Sequence, residues 1–207
     1  MRSSFFVTLA LGLVLGAAGC SKPKAKAVVP DVFKVKFETS QGDFTVEVLH
    51  EWAPRGADRF HELLGMKYFD DGRFFRVVPG FIAQFGINKD FNVHDQWRNF
   101  FMIDDHPQPP RNNLRGTLSF AQSGPNTRAT EVFINLKDNP DLDQQNFLPF
   151  GRVIEGMDVV DRLYSGYGEL GPEGKGPQAD RAEGEANEYL VPRYPRLDYI
   201  KHARIVE

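Results

Sequence analysis

The sequence predicts a mainly β protein, a closed antiparallel barrel capped by two helices. Three observations carry this. Short runs of β-branched and aromatic residues recur along the chain, separated by Gly, Pro and Asn turns. Two main stretches repeat their apolar residues at helical spacing instead. The single cysteine, Cys20, lies near the N-terminus, so the folded part has no disulfide and must stand on its core. Many short strands with few helices favour closure, because a barrel leaves no exposed sheet edge.

In chain order, 34–39 and 44–49 alternate around Ser40-Gln41-Gly42-Asp43, which predicts a first hairpin. Pro54 suits the first turn of a helix; Ala57, Phe60, Leu63 and Leu64 form its apolar face, and it should end near Gly65. Next comes an eleven-residue apolar run, 74–84, that reads as strand, Pro79-Gly80 turn, strand. The stretch 87–113 is polar, aromatic and proline-bearing without clear period, and reads as a long loop with an edge strand. Further strands are expected at 117–122, 131–135, 150–154 and 199–206. Met157, Val160, Leu163 and Tyr164 signal the second main helix. Five glycines and two prolines between Gly166 and Pro177 mark a surface loop, and Ala179, Ala182, Ala186 and Tyr189 form one face of a short helix.

The chain start reads separately. Residues 1–19 have the form of a signal peptide: a basic Arg2, an apolar stretch from Phe5 to Leu15, then Gly16-Ala17-Ala18-Gly19 before Cys20. That stretch is shorter than the roughly 20 residues a spanning helix needs. Cys20 directly after small residues resembles the lipobox of bacterial lipoproteins, with Ala17 where leucine is usual; lipidation there implies an extracytoplasmic, membrane-anchored protein. Residues 20–31 are then a tether and 32–207 the folded domain. Ser21 in place of aspartate favours the outer membrane. Setting aside Arg2, Lys22, Lys24 and Lys26 from the 25 basic residues leaves 21 against 28 acidic ones, a net of −7 for the domain. An acidic domain repels phosphate backbones, so nucleic acid is not an expected partner.

One residue stands out chemically. Arg76 interrupts the apolar run, and a guanidinium is rarely taken out of water without a partner. It has either a structural anion partner or a task at the mouth of an apolar pocket. A second block, 116–127, carries Gly124-Pro125-Asn126-Thr127 and is followed by Glu131-Val132-Phe133-Ile134-Asn135. His50, His61, His94, His106 and His202 have no metal-ligand spacing, and the glycine clusters lack a phosphate-loop pattern, so neither metal nor cofactor is expected. Asp104-Asp105-His106 reads as a solvated loop rather than a cation site.

Phe74-x-Arg76-x-Val78-Pro79-Gly80-Phe81-x-x-Gln84, then Gly124-Pro125-Asn126-Thr127, then Phe133, then Phe150-Gly151 before Gly156-Met157 together resemble the cyclophilin-type peptidyl-prolyl isomerases, over about 32–207. The resemblance implies an eight-stranded barrel and, without metal or cofactor, isomerisation of X–Pro bonds in proline-containing polypeptides by a monomer. It implies catalytic roles for Arg76, Phe81 and Gln84. It further implies substrate contacts from Ile82, Ala121, Gln122, Glu131, Phe133, Leu142, Phe147 and Leu148. Phe81, Ile82 and Phe133 would wall a slot for the proline ring, while Ala121 and Gln122 offer main-chain hydrogen bonds to the peptide. Three departures from the family pattern matter. Glu131 replaces a common glutamine, and is expected to pair with Arg76 and compete with the substrate carbonyl until acid protonates it. The stretch 142–149 replaces one that carries tryptophan and histidine in eukaryotic members. The segment 166–195 is longer than in minimal members and has no role assigned by the resemblance. Two other functions compete: a proline-peptide-binding chaperone or scaffold silenced by Glu131, and a structural envelope protein.

Overall fold

The computed structural model describes residues 28–106 and 111–206. The expected signal peptide, Cys20 and most of the tether lie outside the described residues. The first hairpin forms as read: β1 (Val32–Thr39) and β2 (Gly42–Leu49) pair residue for residue across the Ser40-Gln41 turn. Helix α1 (Pro54–Gly65) follows, with Pro54 in its first turn and Gly56, Ala57, Phe60, Leu63 and Leu64 on its buried face. β3 (Arg76–Val78) and β4 (Ile82–Phe85) form the next hairpin. Then come α2 (Phe91–Arg98), β5 (Thr117–Phe120), β6 (Val132–Asn135), α3 (Pro140–Gln144) and β7 (Pro149–Glu155). α4 (Met157–Asp161), α5 (Ala179–Arg193) and β8 (Ile200–Val206) complete the chain.

All eight strands join one antiparallel sheet in the order β3-β4-β6-β5-β7-β2-β1-β8. The expectation of a closed barrel is corrected here. No ladder joins β3 to β8 among the described residues; the two ends meet where residues 71–74 run beside 198–200, through an isolated Arg73–Tyr199 bridge and hydrogen bonds from Phe74 N–H to Asp198 O (2.9 Å), Asp71 N–H to Ile200 O (2.7 Å) and Ile200 N–H to Gly72 O (2.9 Å). β3 has three residues, too few to pair along the seven of β8. The architecture is therefore a curled eight-stranded sheet.

Strand side chains alternate between faces, and this alternation divides the protein's work. Val35, Phe37, Phe44, Val46, Val77, Ala83, Phe85, Leu118, Phe120, Val132 and Ile134 point inward to one core with Phe60 and Leu63 of α1. Phe37 stacks on Phe44 with centroids 4.7 Å apart. The intervening residues Arg76, Ile82, Gln84, Ser119 and Phe133 face outward. A smaller core of Phe75, Ile87, Ala182, Ala186, Tyr189, Leu190 and Leu197 fastens the 166–195 segment to the outside of the sheet.

Three elements differ from the sequence reading. The stretch 87–113 contains α2, capped by Asp90 accepting from the Asn92 N–H at 2.8 Å. Its one buried residue is His94, so no apolar period announces the helix. α4 stops before Leu163 and Tyr164, because the Tyr164 N–H donates to Asp198 Oδ2 (2.6 Å) rather than continuing the helical ladder. Asp104 and Asp105 form neither a solvated loop nor a cation site. Both pair with Arg128, whose side chain is 1% exposed.

Candidate functional site

The register of the sheet builds the site. Arg76 of β3 lies directly opposite Gln84 of β4, and Gln84 opposite Phe133 of β6. Three outward side chains therefore stand in one row. The Pro79-Gly80 turn, with Gly80 at φ +66°, returns the chain so that Phe81 flanks the row; the Arg76 guanidinium carbon lies 5.6 Å from the Phe81 ring centroid. Phe81 is held by its own carbonyl, which accepts from Leu136 N (2.9 Å) and Asn139 Nδ2 (3.1 Å).

Beside this row lies a cleft of about 580 Å³. Ile82, Phe133 and Leu142 form its apolar floor, with Phe81, Ala121 and Phe147 packed against them. Phe147 meets Phe133 edge-on at 5.5 Å. The loop carrying Leu142 and Phe147 is pinned through Asn113: its N–H and Nδ2 reach Asp143 Oδ1, Nδ2 also reaches Phe147 O, and its Oδ1 accepts from Ser119 Oγ. Thus ten of the residues expected at the site, Arg76, Phe81, Ile82, Gln84, Ala121, Gln122, Glu131, Phe133, Leu142 and Phe147, line one cleft. Leu148 does not; it is half-buried where the chain straightens into β7. Ala121 also departs in detail, since its N–H is already donated to Glu131 O at 2.9 Å. Gln122 donates to Gln145 O at 3.0 Å.

The expected pairing of Glu131 with Arg76 is corrected. Gln84 stands between them: its Oε1 accepts from Arg76 Nη1 at 3.0 Å, and its Nε2 donates to Glu131 Oε2 at 2.6 Å. The carboxylate on Arg76 belongs instead to Glu169. Gly86 makes the Gln84–Glu131 approach possible. It has φ +122°, and a Cβ there would lie 2.4 Å from Thr130 O and 2.5 Å from Glu131 Cα, so only glycine lets β4 leave the sheet against residues 130–131.

Behind Glu131 a polar chain runs into the protein. Glu183 of α5 packs beside it, His94 Nε2 lies 2.8 Å from Glu183 Oε2, and His94 Nδ1 lies 2.7 Å from the Tyr68 hydroxyl. Burial raises the Glu131 carboxyl well above its usual value; the hydrogen bond and charge of Glu183 add to this, against smaller opposing effects of Gln84 and His94. Burial likewise lowers His94 from 6.5 to about 4, helped by Arg98 and opposed by the carboxylates. Neutral His94 accepts from Tyr68 at Nδ1 and donates to Glu183 from Nε2, and burial beside Glu183 favours the neutral form of Glu131. A protonated Glu131 presents its carbonyl oxygen to Gln84 as a glutamine would.

Two expected outcomes follow. Glu131→Gln retains kcat/KM within about twofold at pH 7, a difference of under roughly 0.5 kcal/mol in the barrier. It also gains stability relative to wild type as pH rises above the ordinary carboxylate range, because wild type must then ionise a group whose folded form prefers the proton. A proline-peptide isomerisation assay and urea unfolding check both; a loss of tenfold or more would show that the carboxyl is needed as such. For His94 the sign is opposite to Glu131. Its folded-state value lies below the unfolded one, so the stability it contributes is whole above about pH 6.5 and is lost as pH falls through 4. At most about 3 kcal/mol is at stake. Between pH 7.5 and 4.5, urea unfolding of wild type should lose more free energy than that of His94→Asn; parallel curves would contradict this.

Sequence reading missed Glu169, Glu183, Arg98 and Phe101, of which the last three line the cleft. Glu169 and Glu183 sit in a Gly- and Ala-rich segment whose only local signal was loop and short helix.

The site is an outward groove on a curled β-sheet, with an arginine poised over an apolar slot, and comparison with known proteins assigns the same class. Residues 34–180 match the family model described as cyclophilin type peptidyl-prolyl cis-trans isomerase/CLD. The match spans most of the chain, and the chain belongs to the cyclophilin-type peptidyl-prolyl cis-trans isomerases. It is 37% identical over 133 residues to the peptidyl-prolyl cis-trans isomerase CYP18-2 of Arabidopsis thaliana, covering 64% of this chain and 80% of that one. It is 31% identical over 131 residues to the human peptidyl-prolyl cis-trans isomerase-like 3, covering 62% and 80%. Against peptidyl-prolyl cis-trans isomerase-like 2 of Gibberella zeae, identity is 33% over 130 residues, and the chain spans only 22% of that protein's length. A crystal structure of a cyclophilin type isomerase from Cryptosporidium parvum superposes with a TM-score of 0.59 at 22% identity, covering 85% of this chain and 98% of that one. The same protein crystallised in the presence of the dipeptide Ala-Pro gives 0.58 at 20% identity. At such identities these two show the fold alone.

Proposed function

We propose that this protein accelerates cis/trans interconversion of X–Pro bonds in secreted or envelope polypeptides, acting as a monomer tethered by lipid at Cys20 to the extracytoplasmic, periplasmic face of a bacterial membrane. The observation that carries the catalytic part is the row Arg76–Gln84–Phe133 beside the slot of Phe81, Ile82, Leu142 and Phe147. Rotation about X–Pro faces a barrier of about 20 kcal/mol because the amide is conjugated. Half-rotated, the bond loses conjugation and the prolyl nitrogen recovers a lone pair. An N–H donor aimed there binds the transition state better than either ground state, which is the condition for acceleration. Arg76 is that donor; Gln84 holds it, and the slot holds the ring. Supplying about 5 kcal/mol would speed the reaction several thousand-fold.

The anchoring part rests on the sequence alone, on the apolar head followed by small residues and Cys20. The domain's acidity argues against nucleic acid as partner. Against the rival reading, a binding module silenced by Glu131, stands Gln84, which separates Glu131 from Arg76. The test uses the full chain expressed in a bacterium. Its rate on a proline tetrapeptide is compared with spontaneous relaxation, and the N-terminus is weighed by mass spectrometry. Relaxation at the uncatalysed speed overturns the enzymatic reading; an unacylated Cys20 overturns the anchor.

A further inference from the structure

The 166–195 segment, for which the sequence offered no role, reaches the groove from behind Arg76. Arg76 Nη2 donates to Glu169 Oε2 at 2.6 Å, and Glu169 Oε1 lies 2.6 Å from Arg76 Nε. The carboxylate thus lies along the side-on edge of the guanidinium, hydrogen-bonded through Oε2 to Nη2 and in charge contact through Oε1 with Nε, which makes no hydrogen bond of its own among the described residues. Gln84 takes one N–H from Nη1. Glu169 and Gln84 each take one Nη N–H of the guanidinium, which leaves one N–H on each Nη for a peptide in the cleft. Glu169 is not among the residues lining the cleft, so it grips Arg76 without filling the space a substrate needs.

The grip is built into the fold. Glu169 Oε1 also accepts from the Leu170 N–H at 2.7 Å, and the loop closes on its backbone through Gly176 N donating to Glu169 O at 2.8 Å. A Cβ on Gly174 or Gly176 would lie 2.1 or 2.6 Å from Glu169 O, so this curl requires glycines. Tyr167 and Leu170 on either side pack against the smaller core that includes Phe75, the neighbour of Arg76. Burial pushes the Glu169 carboxyl up, but hydrogen bonds from Arg76 and Leu170 and the Arg76 charge outweigh it and hold it below its usual value, ionised at neutral pH.

We propose that Glu169 is a positioning residue of the isomerase site, a clamp from the 166–195 segment that sets the plane of Arg76 so that its end-on N–H groups face the prolyl nitrogen. This rests on the isomerase reading above. The test is a double-mutant cycle on the full chain, using Glu169→Ala, Glu169→Gln, Arg76→Ala and Arg76→Ala/Glu169→Ala. Isomerisation of a proline tetrapeptide and peptide affinity are measured by NMR exchange and titration. Glu169→Ala should lower the catalysed rate by about tenfold or more, since small misplacements of a reacting group cost that much. Peptide affinity should stay within about twofold, and the loss should vanish in the Arg76→Ala background. Glu169→Gln, which keeps one acceptor and guards against a folding defect, should fall between. An active wild type matched or exceeded by both Glu169 variants overturns this inference alone. So does an equal loss with and without Arg76, which marks a structural role. A wild type without activity overturns the functional reading, and this inference with it.

Discussion

Arg76→Ala is expected to lower kcat/KM for a proline tetrapeptide by about 100- to 1,000-fold while leaving peptide binding within a few-fold. Removing one preorganised donor aimed at developing electron density typically costs that much, about 2.7–4 kcal/mol of transition-state stabilisation. Binding survives because the ring is held by other groups: Ile82, Phe133 and Leu142 keep their apolar floor, and Phe81 stays anchored through its carbonyl. The fold should tolerate the change, since the Arg76 side chain is 22% exposed and its row faces away from the main core. Arg76→Lys should recover little, because a lysine cannot use one edge for Glu169 and another for Gln84 while still donating to substrate. Line-broadening or exchange NMR separates binding from rate in one experiment. A rate within threefold of wild type would remove Arg76 from the mechanism.

The second large effect falls on stability. Asp105→Ala should cost about 3–5 kcal/mol, because it strands a charge the fold has buried. Arg128 lies at 1% exposure, donating to Asp105 Oδ2 and Asp104 Oδ1 at 3.1 Å each and to Ile103 O at 2.8 Å. Asp105, itself 2% exposed, also accepts from the Arg55 and Gly56 N–H groups, so it caps the first turn of α1 as well. For a domain of this size the loss corresponds to a fall in Tm of about 10 °C. Asp105→Asn keeps an acceptor for the helix and should cost less. Groove geometry should suffer too, because Arg128 stands between Thr127 and Ala129, both on the cleft wall. Urea unfolding of the variant within 1 kcal/mol of wild type would show that Asp104 and Ile103 suffice for Arg128.

Much of this protein was legible from local pattern. Strand alternation located the hairpins, Pro54 and Gly65 bounded α1, and the apolar run around Arg76 marked a residue with either an anion partner or a task at a pocket, which the family resemblance then assigned to a groove. Two of the misreadings share a cause, which is that polar residues were assigned to solvent. His94 occupies the buried face of α2, and a histidine in that place erases the apolar period that reveals a helix. Asp104 and Asp105 looked like a solvated loop because their partner, Arg128, is over 20 residues away. Glu131 was matched to Arg76 by charge, yet the register of β4 inserts Gln84 between them.

Sequence by itself determined where the first hairpin buries its face, because a period of two leaves side chains no choice once an apolar face must be hidden, and its resemblance to a family implied the residues of the groove. Only the tertiary structure decided which carboxylate meets which cation. Ion pairs carry no sequence period, and Glu169 reaches Arg76 across 93 positions because a second small core folds its segment back against the sheet.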